Sequence, residues 1–118
     1  MLITLKDMMG IAEEKEIAIG GFNTPNLASL EAVIGAAEEE KLPVILMFAE
    51  CHDEWVSLDL IGPAMLNAAK QATVPVCVHL DHGEHLEYLK KALELGFTGI
   101  MYDGSVLPYE ENVANTKK

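Results

Sequence analysis

"KLPVILMFAE" (residues 41–50) and "TVPVCVHLDH" (73–82) share one plan: a proline, a mainly apolar run, then a polar end. Continuous apolar character over 43–48 predicts a strand buried on both faces, as in a parallel sheet, and "PVCVHL" (75–80) repeats its opening Pro-Val as a further strand. The echo between the two stretches fits repeated strand–helix units but is too short to prove duplication.

The rest of the chain falls into the same rhythm. Between the two runs, "CHDEWVSLDLIGP" (51–63) predicts a loop and "AMLNAAKQA" (64–72) a helix. Upstream, "EIAIGGF" (16–22) predicts a strand ending in glycines, and Thr24 with Pro25 an N-cap and first turn. Leu27, Leu30, Ile34 and Ala37 then recur at helical spacing, closed by the polar stretch Glu38 to Lys41. Downstream, a helix is expected between Glu84 and Leu95, with Leu86, Leu89 and Leu93 on one side, a Glu87–Lys91 pair facing solvent, and Gly96 as its stop. "TGIMYD" (98–103) predicts a fourth strand. "PYEENVANTKK" (108–118) begins a helix with Glu110 and Glu111 where the helix dipole favours acids. "LITLKDMMGIAEEK" (2–15) predicts a helix ahead of the first strand.

Four strands each followed by a helix specify an α/β fold of parallel βα units. Residues 1–118 read as a single partial domain without a linker. A (β/α)8 TIM barrel takes about eight strands in roughly 250 residues, so about four strands amount to its first half. The alternative is a self-sufficient half-barrel that binds another copy and acts as a non-catalytic binding or assembly module.

Composition narrows the partners. Eight Lys and Arg against 19 Asp and Glu leave a net charge of -11, which disfavours nucleic acid and anionic membranes, both of which need clustered cations. Cys51 and Cys77 border apolar runs and read as free buried thiols in a reducing compartment. No run reaches the ~20 apolar residues of a membrane span. A cytoplasmic protein is expected.

Functional groups in parallel α/β folds gather where loops leave the C-terminal strand ends. Here those ends place Asn23, Glu50, Asp81, His82, Asp103 and Ser105 on one rim. Asp81 and His82 are adjacent, so their side chains diverge. Imidazole is a common zinc ligand and a carboxylate can move protons. Gly83 would let the backbone turn sharply or approach a ligand closely. The three-residue run alone is a weak signal.

Longer stretches are more specific. "VPVCVHLDHG" followed by "ALELGFTGIMYDGSVLPYEENVANTKK", with "GGFNTPNLASLEAVIGAAEEEKLPVIL" before them, resembles the class II, zinc-dependent ketose-bisphosphate aldolases that act on fructose or tagatose bisphosphate. The resemblance runs along the whole chain but covers only the N-terminal half of such an enzyme. It implies a TIM-like barrel in which Zn2+ binds dihydroxyacetone phosphate and stabilises its enediolate during reversible aldol cleavage to dihydroxyacetone phosphate and glyceraldehyde 3-phosphate. It implies that His82 is a zinc ligand, and that Asp81 is the catalytic acid–base at the aldehyde-derived oxygen. Asp103 would be an acidic residue of the metal site in an alternative position. Asn23 would lie near the substrate, with Asn26 as the second asparagine of the same motif. A homo-oligomer, dimer or tetramer, is implied as well.

Other polar residues carry plainer expectations. His79 reads as a hydrogen-bonded or packing histidine, His85 as solvated in a helix first turn, and His52 with Asp53 and Glu54 as a mobile acidic loop. Trp55 is expected to pack loop against barrel. Ala49 departs from the serine or glycine corner that touches phosphate in many relatives. The family's two further zinc histidines, a later acidic residue and its phosphate loops have no counterpart among these residues, so the chain alone is expected to be inactive. A Schiff-base aldolase would need a lysine within a strand, and none of the lysines interrupts one.

Overall fold

A computed structural model describes residues 1–118. Helix α1 (Leu5–Lys15) precedes β1 (Gly21–Asn23), α2 (Leu27–Glu40) and β2 (Val44–Ala49). A 3-10 turn over Glu50–Glu54 leads into α3 (Leu58–Gln71), β3 (Val76–Gly83), α4 (Leu86–Leu95), β4 (Gly99–Tyr102) and α5 (Tyr109–Thr116). All four strands are parallel in one open sheet, in sequence order β1-β2-β3-β4. The expected βα rhythm is therefore present, with β1 and β4 as open edges.

The two faces of the central strands differ. Val44, Leu46 and Phe48 of β2 and Val76, Val78 and Leu80 of β3 join one buried core with Leu30 and Ala37 of α2, Leu58, Ile61, Met65, Leu66 and Ala69 of α3, and Leu89 and Ala92 of α4. The opposite face carries Cys77, His79 and Asp81, which alternate with those core residues as strand side chains must. In full burial, each of these aliphatic side chains contributes about 1.5–3 kcal/mol.

Several local expectations need correction. β1 is only three residues long, although 16–22 was expected. Its register pairs Gly21 with Ile45, which sets Ile19 opposite Pro43, a residue with no N–H to extend the ladder. Thr24 does not cap α2; it is fully buried, and Asn26 caps instead, its side chain accepting from the Ser29 amide at 2.9 Å. Of the expected α2 stripe, Leu30 and Ala37 are buried while Leu27 is exposed.

Helix α3 begins six residues before its expected start and runs straight through Pro63. Proline removes one helical hydrogen bond. Burial of Leu58, Ile61 and Gly62 on the same turns offsets that loss, a tertiary gain that local propensity does not contain. On α4, Leu89 and Ala92 face the core whereas Leu93 is half exposed. Glu87 pairs with Lys90 rather than Lys91, and Lys91 reaches Asp59 on α3 at 2.7 Å. Gly96 ends α4 as expected, with φ of 107°. Cys77 is buried but Cys51 is exposed, and both are free thiols. No helix is long and apolar enough to cross a membrane.

Candidate active-site corner

β3 outlasts β2. Its last residue in register with β2 is Asp81, opposite Ala49. Its register with β4 shifts between Leu80 and Gly83. His82 sits inside this irregularity with φ of 102°, a conformation that costs a side-chain-bearing residue about 1–3 kcal/mol and survives only where the surroundings enforce it. The freedom expected of Gly83 is thus spent on a different need. Gly83 has no left-handed φ, but a Cβ there would collide with Leu89 Cδ1 and lie 3.2 Å from Leu80 Cδ2.

The strained turn brings three predicted residues together. His82 Nδ1 is 2.8 Å from Asp103 Oδ2, and His82 Nε2 is 3.5 Å from Asp81 Oδ1. The Asp103 amide also donates to the Gly83 carbonyl at 2.8 Å, so backbone and side chain of Asp103 hold the two ends of the turn. Asp103 is itself fixed, since its Oδ1 accepts from the Ser105 amide at 3.0 Å. Hydrogen bonds from Ser105 first and from the His82 ring second depress the Asp103 carboxyl to about 2. The same Asp103 hydrogen bond is the main reason the His82 imidazole titrates above its ordinary value.

The His82 ring is half exposed. With Nδ1 committed to a carboxylate, Nε2 is the nitrogen left for a ligand, which is how metal-binding histidines are commonly oriented. No group of three His, Cys, Asp or Glu side chains gathers into a complete metal-holding cluster. A catalytic zinc takes three protein ligands, so the donor set here fits one ligand and its orienting carboxylate.

Asn23 stands apart from this trio. It ends β1, in register with Met47 of β2 and through it with His79 of β3, at the same end of the sheet but two strands away from His82. Glu50 follows β2 directly and binds the start of α4. Its Oε2 accepts from the Glu84 and His85 amides at 2.8 and 3.2 Å, and its Oε1 lies 2.6 Å from His85 Nδ1. His85 is exposed but paired, not merely solvated.

The remaining expectations also shift. His79 packs against Gly99, where a Cβ would sit 2.6 Å from its Nδ1, and that nitrogen is buried without a partner rather than hydrogen-bonded. Burial depresses its basicity. His52 is built into the loop: its Nδ1 accepts from the Ala49 amide at 3.2 Å and its ring meets the edge of Phe48. Trp55 stacks on the His52 ring and is otherwise largely exposed, so it does not pin the loop to the sheet. Sequence patterning did not disclose Asp53 as a strut. Its Oδ1 accepts from the Leu58 amide at 2.9 Å and from the Tyr88 hydroxyl at 2.7 Å.

Known proteins match both the sequence and the fold. The family profile "Fructose-bisphosphate aldolase class-II" matches residues 3–118. A probable fructose-bisphosphate aldolase of Bacillus subtilis is 43% identical over 99% of this chain and 42% of its own length. A 6-phospho-5-dehydro-2-deoxy-D-gluconate aldolase of Halalkalibacterium halodurans is 38% identical over the same shares. The crystal structure of the YdjI aldolase from Escherichia coli K12 superposes with a TM-score of 0.92 at 38% identity, covering 99% of this chain and 46% of that one. The four-stranded sheet is thus the first half of an aldolase TIM barrel, and the chain spans less than half the length of the curated relatives it matches. With the aspartate–histidine corner at the end of β3, a profile match over nearly every residue and close structural superposition, the chain belongs to the class II fructose-bisphosphate aldolase family.

Proposed function

We propose that residues 1–118 form a single unit, the N-terminal half-barrel of an enzyme that reversibly cleaves a ketose 1,6-bisphosphate, fructose or tagatose, to dihydroxyacetone phosphate and glyceraldehyde 3-phosphate. The observation that carries this reading is the strained His82, oriented by Asp103 and flanked by the Asp81 carboxylate. The two substrates named for the relatives share one chemistry: a ketone beside a phosphorylated carbon, with a hydroxyl on the carbon β to that ketone. Such a molecule breaks its α–β carbon bond when the hydroxyl loses its proton and the ketone takes up the electron pair.

Each residue has a distinct part. Asp81 accepts the proton from the hydroxyl that becomes the aldehyde oxygen and returns it in the condensation direction. His82 would offer Nε2, which lies 3.5 Å from Asp81 Oδ1, as one zinc ligand, and Asp103 holds the ring through Nδ1. Zinc, when bound, supplies Lewis-acid polarisation of the substrate carbonyl. Asp103, whose carboxylate lies 2.8 Å from His82 Nδ1, would be a further acidic residue available to the metal. Asn23 presents its amide to the substrate from the end of β1. The other zinc ligands and the phosphate-binding groups come from outside residues 1–118.

The test is EDTA-sensitive cleavage of fructose 1,6-bisphosphate by the full-length polypeptide that contains these residues, with tagatose 1,6-bisphosphate in parallel. Cleavage lost to EDTA and restored by zinc is expected. No cleavage of either sugar with zinc supplied would overturn the assignment.

A further inference from the structure

The strained His82 turn is braced on two sides, and only one brace belongs to the residues given roles above. On the β4 side, Asp103 grips His82 Nδ1 and the Gly83 carbonyl. On the β2 side the ladder has already ended at Ala49–Asp81, so the backbone amides beyond Gly83 have no strand to pair with. Glu50 takes the place of that strand. Its Oε2 accepts from both the Glu84 and His85 amides, and its Oε1 holds His85 Nδ1.

Glu50 suits that task. Its side chain is only 17% exposed, and it lies at the N-terminus of α4, where a carboxylate meets unpaired amides and the positive end of the helix dipole. Hydrogen bonds to a carboxylate are shorter and stronger than neutral ones. The loop that carries Glu50 is itself anchored, by the Ala49 amide on His52 Nδ1 and by Asp53 on the Leu58 amide and the Tyr88 hydroxyl. Asp53 and Glu50 thus fasten the loop after β2 to both ends of the first turn of α4.

We propose that Glu50 is a positioning residue for the Asp81–His82 corner: by fixing the Glu84 and His85 amides, it holds the end of β3 in the bulged conformation that aims the His82 ring. The proposal rests on the aldolase reading for its kinetic consequence but not for its structural one. Glu50 touches neither substrate nor metal in this role.

The test compares Glu50→Ala and Glu50→Gln in the full-length polypeptide. Three readouts apply: amide hydrogen exchange over residues 83–86, zinc affinity by chelator competition, and kcat and KM for fructose 1,6-bisphosphate. Glu50→Ala should speed exchange at Glu84 and His85 at least tenfold and weaken zinc roughly 10- to 100-fold, as loss of supporting hydrogen bonds does at metal sites. It should lower kcat with KM changed less than about threefold. Glu50→Gln keeps an acceptor oxygen without the charge and should recover most of each loss, so it remains informative if the alanine variant folds poorly. Zinc affinity and exchange unchanged in Glu50→Ala would overturn the proposal, as would a fall in kcat without faster exchange. If the wild-type enzyme cleaves neither sugar bisphosphate, the aldolase reading fails, while zinc affinity and exchange still decide the role of Glu50.

Discussion

Gly83→Ala tests the packing of the corner most directly. Gly83 is the buried last residue of β3, and its φ is not left-handed, so an alanine meets no backbone penalty. The obstacle is steric. The new Cβ would overlap Leu89 Cδ1 and stand 3.1 Å from Leu89 Cγ and 3.2 Å from Leu80 Cδ2. Leu89 is 6% exposed and Leu80 fully buried, so neither side chain has open space to move into. Overpacking of this kind costs about 1–3 kcal/mol. Leu89→Ala alone should cost about 2–5 kcal/mol through the cavity it leaves. In the double variant the cavity accepts the Cβ, so the combined cost should fall short of the sum by at least about 1 kcal/mol, as expected for residues in contact. Urea unfolding of the full-length wild type, both single variants and the double variant measures that coupling. Strict additivity of the two single costs, or a Gly83→Ala variant as stable as wild type, would refute the steric account.

Two further outcomes follow from the same geometry. Asp81→Ala should abolish cleavage while zinc stays bound, whereas His82→Ala should lose the metal; metal analysis beside activity separates these, and equal loss of metal in both would contradict the divided roles. For pH dependence, the Leu58 amide first and the Tyr88 hydroxyl second hold the Asp53 carboxyl below its ordinary value of 3.8. A depressed folded-state value means a contribution present above about pH 3.8 and lost as pH falls through the lower folded value. Wild type should therefore exceed Asp53→Asn in melting temperature near neutrality, and the gap should close in acid. A gap that stays constant down to pH 2 would contradict this.

Much of the fold was legible because it rests on composition along the chain. The apolar runs at 43–48 and 75–78 marked the two central strands because they had to be buried, and Gly96 marked the end of α4 because few residues other than glycine adopt φ of 107° at low cost. Resemblance then singled out Asp81, His82 and Asp103, and their convergence is in the geometry. Local patterning failed where a distant partner outweighed it. Residues 58–63 read as part of a loop until the burial of Leu58 and Ile61 is counted, and Thr24 reads as a cap until it is seen enclosed.

By itself, then, the sequence determined the order of parallel βα units, the rim that the strand ends would share and the residue types available there. Those properties depend on each segment's own hydrophobic period. Only the tertiary structure decided that the unusual φ falls on His82 rather than Gly83, that Asp103 orients the ring, and that Glu50 and Asp53 tie the loop after β2 to α4. Each of these is a contact between residues 21 to 35 positions apart in the chain, or a consequence of one. No local pattern encodes such a contact, because its energy appears only once the sheet has brought the strand ends together.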